Sequence, residues 1–290
     1  MTAVDPSATE AGAERRALNR LFAAVRRQPE LAPGSIIAAV LLVLAAFPGL
    51  LATHPPDAID IAAKLQQPSS VHWFGTDDLG RDVYSRVIYG TRVTLGIAAG
   101  SLLAPAVVGG LMGVLAGFAG KAVDMVSGRL IDVVLSFPPI VLGVVITGIL
   151  GQGVPNLVLA LALVYIPVFF RIARSGAIAE AGKTYVEAAR GLGARPSRIL
   201  LRHVLPNVLP LIFLQYTILF PLALQIEAAL GFLGLGVPPP VSDWGASLEQ
   251  AKNYVLAAPW MSIYPGLSIL VAAFGILLLG RGLQRILDVR

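Results

Sequence analysis

The longest uncharged stretch of the chain is VVLSFPPIVLGVVITGILGQGVPNLVLALALVYIPVFF, residues 133–170. At 38 residues it is too long for one membrane span, because a helix needs about 20 mostly apolar residues to cross the hydrocarbon core. The sequence GQGVPN at 151–156 interrupts it with the residue types of a turn. The stretch therefore predicts two successive spanning helices.

Four further uncharged runs have the length of a span: Ser35–Thr53, Val93–Gly120, Val204–Ile226 and Tyr254–Gly280. Only 13% of the 290 residues are charged and 56% are hydrophobic, whereas soluble domains carry about 25% charged residues. This composition excludes an ordinary soluble enzyme and a disordered chain. The sequence predicts an all-α integral membrane protein with six transmembrane helices.

The positive charges predict the orientation of these helices. In a six-span arrangement, 17 of the 22 Lys and Arg residues fall on one side, which the positive-inside rule makes cytoplasmic. Both termini are then cytoplasmic, and the basic excess needs no nucleic acid to explain it. Three segments follow: a cytoplasmic tail at 1–34 with an amphipathic helix at Ala17–Arg27, a first helix with an extracytoplasmic segment at 35–92, and a core domain at 93–290 with five helices.

Small residues and prolines predict how two spans are shaped. Gly109, Gly113 and Gly117 recur every fourth position, which leaves a flat strip where another helix can approach closely. Packing within the chain is the favoured interpretation of this strip, and an intersubunit contact is the alternative. Pro138 and Pro139 predict a kink in the third span.

The segments between spans carry charged and aromatic residues. An ion-paired loop, with a cation site as the alternative, is indicated by Asp77, Asp78, Asp82, Arg81 and Arg86. An aromatic belt at the membrane interface is indicated by Trp244, Tyr254, Trp260 and Tyr264. The sequence has no cysteine and only three scattered histidines, so it predicts no metal site and no catalytic site.

The stretch at 176–184 superficially resembles a phosphate-binding loop, but its spacing excludes one. The stretch GAIAEAGKT has five residues between its glycines, whereas the motif needs four, and no strand precedes it. No cofactor is expected on this chain.

The loop at 171–206 predicts two short helices. Thr184 can cap the first, and Glu187 three residues later would complete a capping box. Gly193 can end that helix in a left-handed conformation, and Pro196 suits the first turn of the next. Pro206 marks the junction with the fifth span.

This loop resembles the cytoplasmic signature of ABC importer permeases. The matching residues are Glu187, Ala188, Ala189, Gly193, Leu205 and Pro206. His203 occupies a position where the family usually has isoleucine, which is a departure. The resemblance implies that the loop contains the coupling helix, which docks in a cleft of the ATPase subunit.

Two other stretches are similar to the C-type permease of dipeptide, oligopeptide, nickel and glutathione importers. One is HWFGTDDLGRDVYSRVIYGTR at 72–92, and the other is EAALGFLGLGVPP at 227–239 followed by DWG at 243–245. The likeness covers about residues 70–285 and rests on three spaced motifs.

The resemblance implies a type I ABC importer permease fold in the bacterial cytoplasmic membrane. The chain would be one permease of a heterodimer, with a homologous second permease, ABC ATPase subunits that bind ATP and Mg²⁺, and an extracytoplasmic solute-binding protein as partners. Transport of short peptides by alternating access is the expected function, with nickel, glutathione or haem-type solutes as alternatives. An intramembrane enzyme is a distant alternative, because the spans hold essentially one candidate acid, Glu227.

Glu227 follows 23 uncharged residues, near the outer end of the fifth span. An ionisable group in a span is costly and usually faces protein or water. Three interpretations stay open: it ties helix ends together at the outer interface, it faces the translocation path, or it contacts the partner permease.

Overall fold

The computed structural model describes residues 30–288, and this part of the chain is helical throughout apart from its connecting loops. The predicted amphipathic helix at Ala17–Arg27 and most of the predicted tail lie outside the described residues. Within them the α-helices are α1 Leu31–Ala46, α2 Pro48–Leu51, α3 Val83–Ala119, α4 Lys121–Leu135, α5 Pro139–Leu150, α6 Val154–Ala181, α7 Thr184–Gly191, α8 Pro196–Ile199, α9 Leu205–Phe232, α10 Trp244–Ala251 and α11 Trp260–Asp288. A 3₁₀ turn at Ile61–Ala63 and a π turn at Leu200–Val204 complete the set.

Four of the helical stretches are long and apolar enough to cross a membrane. They are α3, α6, the continuous helix Pro196–Phe232 that includes α8 and α9, and α11 up to Arg285. A fifth span results if α4 and α5 count as one bent element. α1 is apolar but has only 16 residues, and it stops at Phe47 before α2 begins with Pro48. Six spans therefore stay a prediction.

The prolines in the third predicted span break the helix rather than kink it. The two parts, Val123–Leu135 and Pro139–Leu150, are bent by 83° relative to one another. Pro138 has an extended backbone, with ψ of 133°, and Pro139 opens α5. The break follows because neither proline can donate a backbone hydrogen bond and each disfavours the helical conformation of the residue before it.

The glycine strip of α3 packs against α6, as the favoured interpretation predicted. A Cβ atom on Gly109, Gly113 or Gly117 would collide with a backbone carbonyl oxygen of α6. Those oxygens belong to Ile166, Phe170 and Arg174, which step along α6 with the same spacing. The two helices therefore run in parallel with their backbones in contact, which larger residues would prevent.

The remaining long helices surround this pair. α1 lies along α11, where Gly275 meets Ile37 and Gly282 meets Leu31. α9 packs against α3, α6 and α11, and its buried Leu224 belongs to the same core as Leu102 of α3.

The bundle has two ends of different character. The tryptophan end consists of residues 53–82 and 233–259 together with the first turns of α3 and α11. The basic end consists of residues 182–195, between α6 and α8. α3 and α6 both run toward the basic end, and α9 runs back to the tryptophan end.

Candidate functional site

The basic end presents α7 to solvent. Glu187 and Ala188 are exposed, Ala189 is half-buried, and Val186 is fully buried on the opposite side of the helix. Val186 belongs to the main hydrophobic core, so it anchors the short helix to the bundle. This division leaves one face of α7 available for a contact.

The capping box predicted at the start of α7 is wrong. Thr184 is the first residue inside the helix, and Lys183 occupies the capping position with no capping hydrogen bond from its side chain. The backbone N–H of Glu187 donates to the Lys183 carbonyl at 3.1 Å. Because Thr184 lies one position too far along, its hydroxyl cannot reach back over the first turn as a capping group does.

Gly193 ends α7 as the sequence predicted. Its φ is +79°, and the backbone N–H groups of Gly193 and Ala194 donate to the carbonyls of Arg190 and Ala189 at 2.9 and 3.1 Å. These two bonds form a Schellman motif, which requires the left-handed conformation that glycine adopts without penalty. The loop therefore leaves α7 in one defined direction.

Pro196 opens the next helix as expected, but Pro206 does not mark a junction. The helix continues from Pro196 to Phe232 without a break, with Leu205 half-buried and Pro206 exposed. The π turn at Leu200–Val204 directly precedes them. A proline cannot donate to the carbonyl one turn earlier and its ring crowds that carbonyl, and the wider π turn is where this misfit is absorbed.

A buried carboxylate that the sequence did not single out holds the basic end to the bundle. Glu180, at the end of α6, accepts a short hydrogen bond from the Tyr185 hydroxyl. It also forms an ion pair with Lys183, whose Nζ lies 2.6 Å from Glu180 Oε2. The amide of Asn207 in α9 donates to the Tyr185 oxygen at 3.1 Å and to the His203 carbonyl at 2.6 Å. The network thus joins α6, α7 and α9.

His203, which stands where the family usually has isoleucine, packs against the Glu180–Tyr185–Asn207 network. Its ring lies 5.9 Å from that of Tyr185, edge to face. The hydrogen bond to Glu180 raises the pKa of the Tyr185 hydroxyl above its ordinary value, because a second negative charge there would be unfavourable. Tyr185 therefore stays a neutral donor at physiological pH.

At the tryptophan end the two other motifs interlock. The indole N–H of Trp244 donates to the Val87 carbonyl at 2.9 Å, and that of Trp260 donates to the Thr76 carbonyl at 3.0 Å. Both tryptophans are buried, so the belt predicted for them is wrong. Gly75, with φ of +73°, permits the close approach of the Trp260 ring.

Asp77, one of the acidic residues before α3, is ion-paired, as the ion-paired interpretation predicted. Its carboxylate lies 2.7 Å from the Arg81 Nε and 3.7 Å from the Arg86 Nε, all three residues being buried. Arg81 also donates to the Gln250 side chain at 2.9 Å, which links the two halves of this end.

Asp82 differs from that pair because it caps α3 and faces two histidines. Its side chain accepts from the Ser85 N–H at 2.8 Å and from the His72 ring at 2.9 Å. The sequence suggested that the histidines are scattered, but the fold brings His54 and His72 together beside Asp82. Because these three residues are far apart in the sequence, no sequence pattern indicated that they cluster.

Glu227 lies inside the molecule, fully buried in α9 beside Asp243. Within the described residues neither of its carboxyl oxygens forms a hydrogen bond of normal geometry. Asp243 caps α10 through the Ala246 N–H at 2.9 Å and accepts from the Thr94 hydroxyl at 2.5 Å. One turn beyond Glu227, Gly231 contacts Gly245, so α9 and α10 meet backbone to backbone.

Residues 109–290 match the family described as "Binding-protein-dependent transport system inner membrane component". The chain belongs to this family. It is therefore a multi-pass membrane permease subunit of an ABC importer rather than an enzyme, and it works with an ATPase and other subunits. The family predicted from the three motifs is confirmed.

Relatives match most of the chain. It is similar to the "Dipeptide transport system permease protein DppC" of Alkalihalophilus pseudofirmus, with 37% identity over 88% of this chain and 84% of the relative. It is 37% identical to the "Probable D,D-dipeptide transport system permease protein DdpC" of Escherichia coli, over 91% and 89% of the two chains. It is 38% identical to the "Glutathione transport system permease protein GsiD" of Pectobacterium atrosepticum, over 76% and 73%.

Proposed function

We propose that this chain is the C-type permease of a heterodimeric, ATP-driven importer of short peptides in the bacterial cytoplasmic membrane. Its partners are a homologous second permease, ATPase subunits that bind ATP and Mg²⁺, and an extracytoplasmic solute-binding protein. The chain supplies a path and a mechanical link, and alternating access results when closure of the ATPases moves the basic end.

The exposed face of α7 carries this proposal. Glu187 and Ala188 are free to enter a cleft, while Val186 and the Tyr185–Glu180 bond hold the helix from behind. Gly193 fixes the exit of the loop, and the continuous helix that holds Leu205 and Pro206 runs on to the tryptophan end. A force on α7 is therefore passed to α6 and α9 rather than absorbed by a flexible loop.

The substrate class rests on the relatives. Two of those described above are dipeptide permeases by name, and the third is a glutathione permease, whose substrate is itself peptide-like. Nickel and haem-type solutes use similar permeases and are the alternatives. The solute-binding protein selects among these solutes, so the permease sequence alone does not.

Reconstitution tests the proposal. The permease pair, the ATPases and the binding protein encoded with them are placed in proteoliposomes, and uptake of a labelled dipeptide, of glutathione and of Ni²⁺ is measured with and without ATP. ATP-dependent uptake of the dipeptide is expected. Uptake of Ni²⁺ or glutathione with none of the dipeptide would contradict the peptide assignment.

The membrane arrangement that belongs to this proposal has six spans, both termini inside and the basic end in the cytoplasm. The native chain has no cysteine, so single cysteines report accessibility cleanly. Leu256 is fully exposed at the tryptophan end and Leu192 is 89% exposed at the basic end, which makes them a matched pair. In intact cells Leu256→Cys should react with an impermeant thiol reagent and Leu192→Cys should not, and the reverse result would invert the topology.

For Glu227 we propose the packing role. Its full burial beside Asp243, where α9 meets α10, supports a group that holds these elements together rather than one that lines the path. Glu227→Gln, which keeps the shape of the side chain and its capacity to form hydrogen bonds but removes the charge, should support assembly and uptake, and Glu227→Leu should destabilise the complex. Normal assembly of Glu227→Gln with slower uptake of peptides that carry a free amine would favour the path instead.

A further inference from the structure

Three potential metal ligands from separate parts of the chain meet at the tryptophan end. His54 follows α2, His72 lies in the loop before α3, and Asp82 caps α3. The Nδ1 atoms of His72 and His54 lie 2.9 and 3.9 Å from the same carboxylate oxygen, Asp82 Oδ1. The three potential ligand atoms all lie within 4.8 Å of one another.

We propose that His54, His72 and Asp82 bind one divalent transition-metal cation, with Zn²⁺ as the representative ion. Two imidazole nitrogens and one carboxylate oxygen form a ligand set suited to such ions, and three protein ligands leave positions for water. An ion here ties the end of α2 to the start of α3. This inference does not depend on which solute the importer carries.

The surroundings of Asp82 orient it for this role. Its second oxygen, Oδ2, accepts from the N–H and the hydroxyl of Ser85 at 2.8 and 2.7 Å, and from the Thr53 hydroxyl at 3.3 Å. Oδ1 is thereby left to face the two imidazoles. Hydrogen bonds that hold a ligating carboxylate in this way are the usual support of a metal site.

The histidines are held as well. The backbone N–H of His54 donates to the Ser85 hydroxyl oxygen at 3.0 Å, and that of His72 donates to Ser69 Oγ at 3.1 Å. The two rings lie 4.8 Å apart and are tilted by 32°. Ser85 therefore positions both the Asp82 carboxylate and the backbone of His54.

An ion can reach the cluster. His54 lines a cavity of about 750 Å³, with Tyr89 and Val241 among the other lining residues. Without an ion, His72 shares a hydrogen bond with Asp82, and His54 Nδ1 lies 3.0 Å from the Thr53 hydroxyl. When the cation binds at His72 Nδ1, the proton that Nδ1 shared with Asp82 moves through solvent to Nε2, so that each neutral ring binds the ion through Nδ1 and carries its proton at Nε2.

The composition of the chain makes the test sharp. The sequence holds no cysteine and only one further histidine, His203, which lies near the basic end. The full-length chain is purified in lipid nanodiscs with a tag free of histidine, and Zn²⁺ binding is measured by calorimetry and by elemental analysis. One Zn²⁺ per chain is expected for the native protein and for the matched control His203→Gln.

The variants separate ligands from support. His54→Gln and His72→Gln should each weaken Zn²⁺ binding by at least about 100-fold, and Ser85→Ala by about 10- to 100-fold. Zn²⁺ should raise the melting temperature of the native chain and of His203→Gln but not of the ligand variants. If His72→Gln fails to fold, His54→Gln decides the matter, because the His54 ring hydrogen bond is solvent-exposed.

Two results would overturn the site. One is a native chain that binds no stoichiometric Zn²⁺. The other is Zn²⁺ affinity in His54→Gln and His72→Gln equal to that of His203→Gln. In either case the three side chains form a hydrogen-bond network only.

Discussion

The tryptophan end and the basic end are built in opposite ways. At the tryptophan end Trp244, Trp260 and Arg81 are buried, and each donates a hydrogen bond to a residue more than 150 positions away in the same chain. At the basic end Glu187 and Leu192 stand in solvent, and α7 is held from one side only. The side chains of the tryptophan end form their contacts within the chain, whereas the exposed face of the basic end is left for a partner. Similar substitutions should therefore have different effects at the two ends.

A charge reversal gives the largest expected contrast. Glu187→Lys should abolish ATP-driven uptake and capture of the ATPase, because it places the wrong charge on the face that docks. The control is Glu249→Lys at the other end, where Glu249 pairs with the exposed Lys252 at 2.6 Å. ATPase co-purification measures the difference, and equal capture by both variants would remove the docking role from α7.

Stability should respond at the tryptophan end. Trp244→Phe removes a buried hydrogen bond to the Val87 carbonyl and is expected to cost about 1–3 kcal/mol of unfolding free energy. Trp73→Phe is the matched control, because Trp73 is 52% exposed, and it should change stability by about 0.5 kcal/mol or less. Thermal unfolding monitored by circular dichroism compares them, and similar melting temperatures would mean that this end is not internally locked.

The turn after α7 should respond to backbone conformation rather than to space. Apart from its neighbours in the chain, no atom of residues 30–288 lies within 4 Å of a Cβ added at Gly193, yet its φ of +79° makes Gly193→Val unfavourable by about 1–2 kcal/mol. Gly191→Ala, two residues earlier and within the helix, should be tolerated. Uptake is the measurement: Gly193→Val should reduce it, and full activity of both variants would show that the loop direction is unimportant.

The smallest effect is expected from the Tyr185 hydroxyl. Tyr185→Phe loses the bond to Glu180 and should cost about 1 kcal/mol, since the half-exposed ring is partly screened by water. The folded state raises the pKa of Tyr185, so the stabilisation is complete below the ordinary value of about 10 and is lost as pH rises through the folded-state value.

Unfolding of the native chain and Tyr185→Phe at pH 8 and at about pH 11 checks this. The difference between them should shrink at the higher pH. A difference that is constant or grows would show that the hydroxyl does not carry the stabilisation.

Several features were predictable because they depend on local sequence. Composition identified a membrane protein, since an uncharged run of 38 residues has no stable place in water. Gly193 was predicted to end α7 because a left-handed turn nearly requires glycine. The glycine strip was predictable as a site of close helix approach because Gly109, Gly113 and Gly117 share one helix face, and the structure shows that the helix it meets is α6.

Other features depended on which segments meet. Trp244 and Trp260 are residues of the type that forms an interfacial belt. In the structure, however, their indole N–H groups donate hydrogen bonds to carbonyls more than 150 residues earlier in the chain. Thr184 has the right spacing to Glu187 for a capping box, but the helix begins one residue too early for it. Glu180 gave no signal, because its role arises only where α6, α7 and α9 converge.

The sequence by itself therefore determined the membrane environment, the family and the turn chemistry of α7, because hydrophobic length and backbone preference act over a few consecutive residues. Only the tertiary structure decided that Glu227 is buried beside Asp243 and that His54 and His72 share Asp82. The physical reason is that a hydrogen bond or a ligand set depends on atoms within about 3–4 Å, and distances of that kind between remote residues are set by packing of the whole bundle.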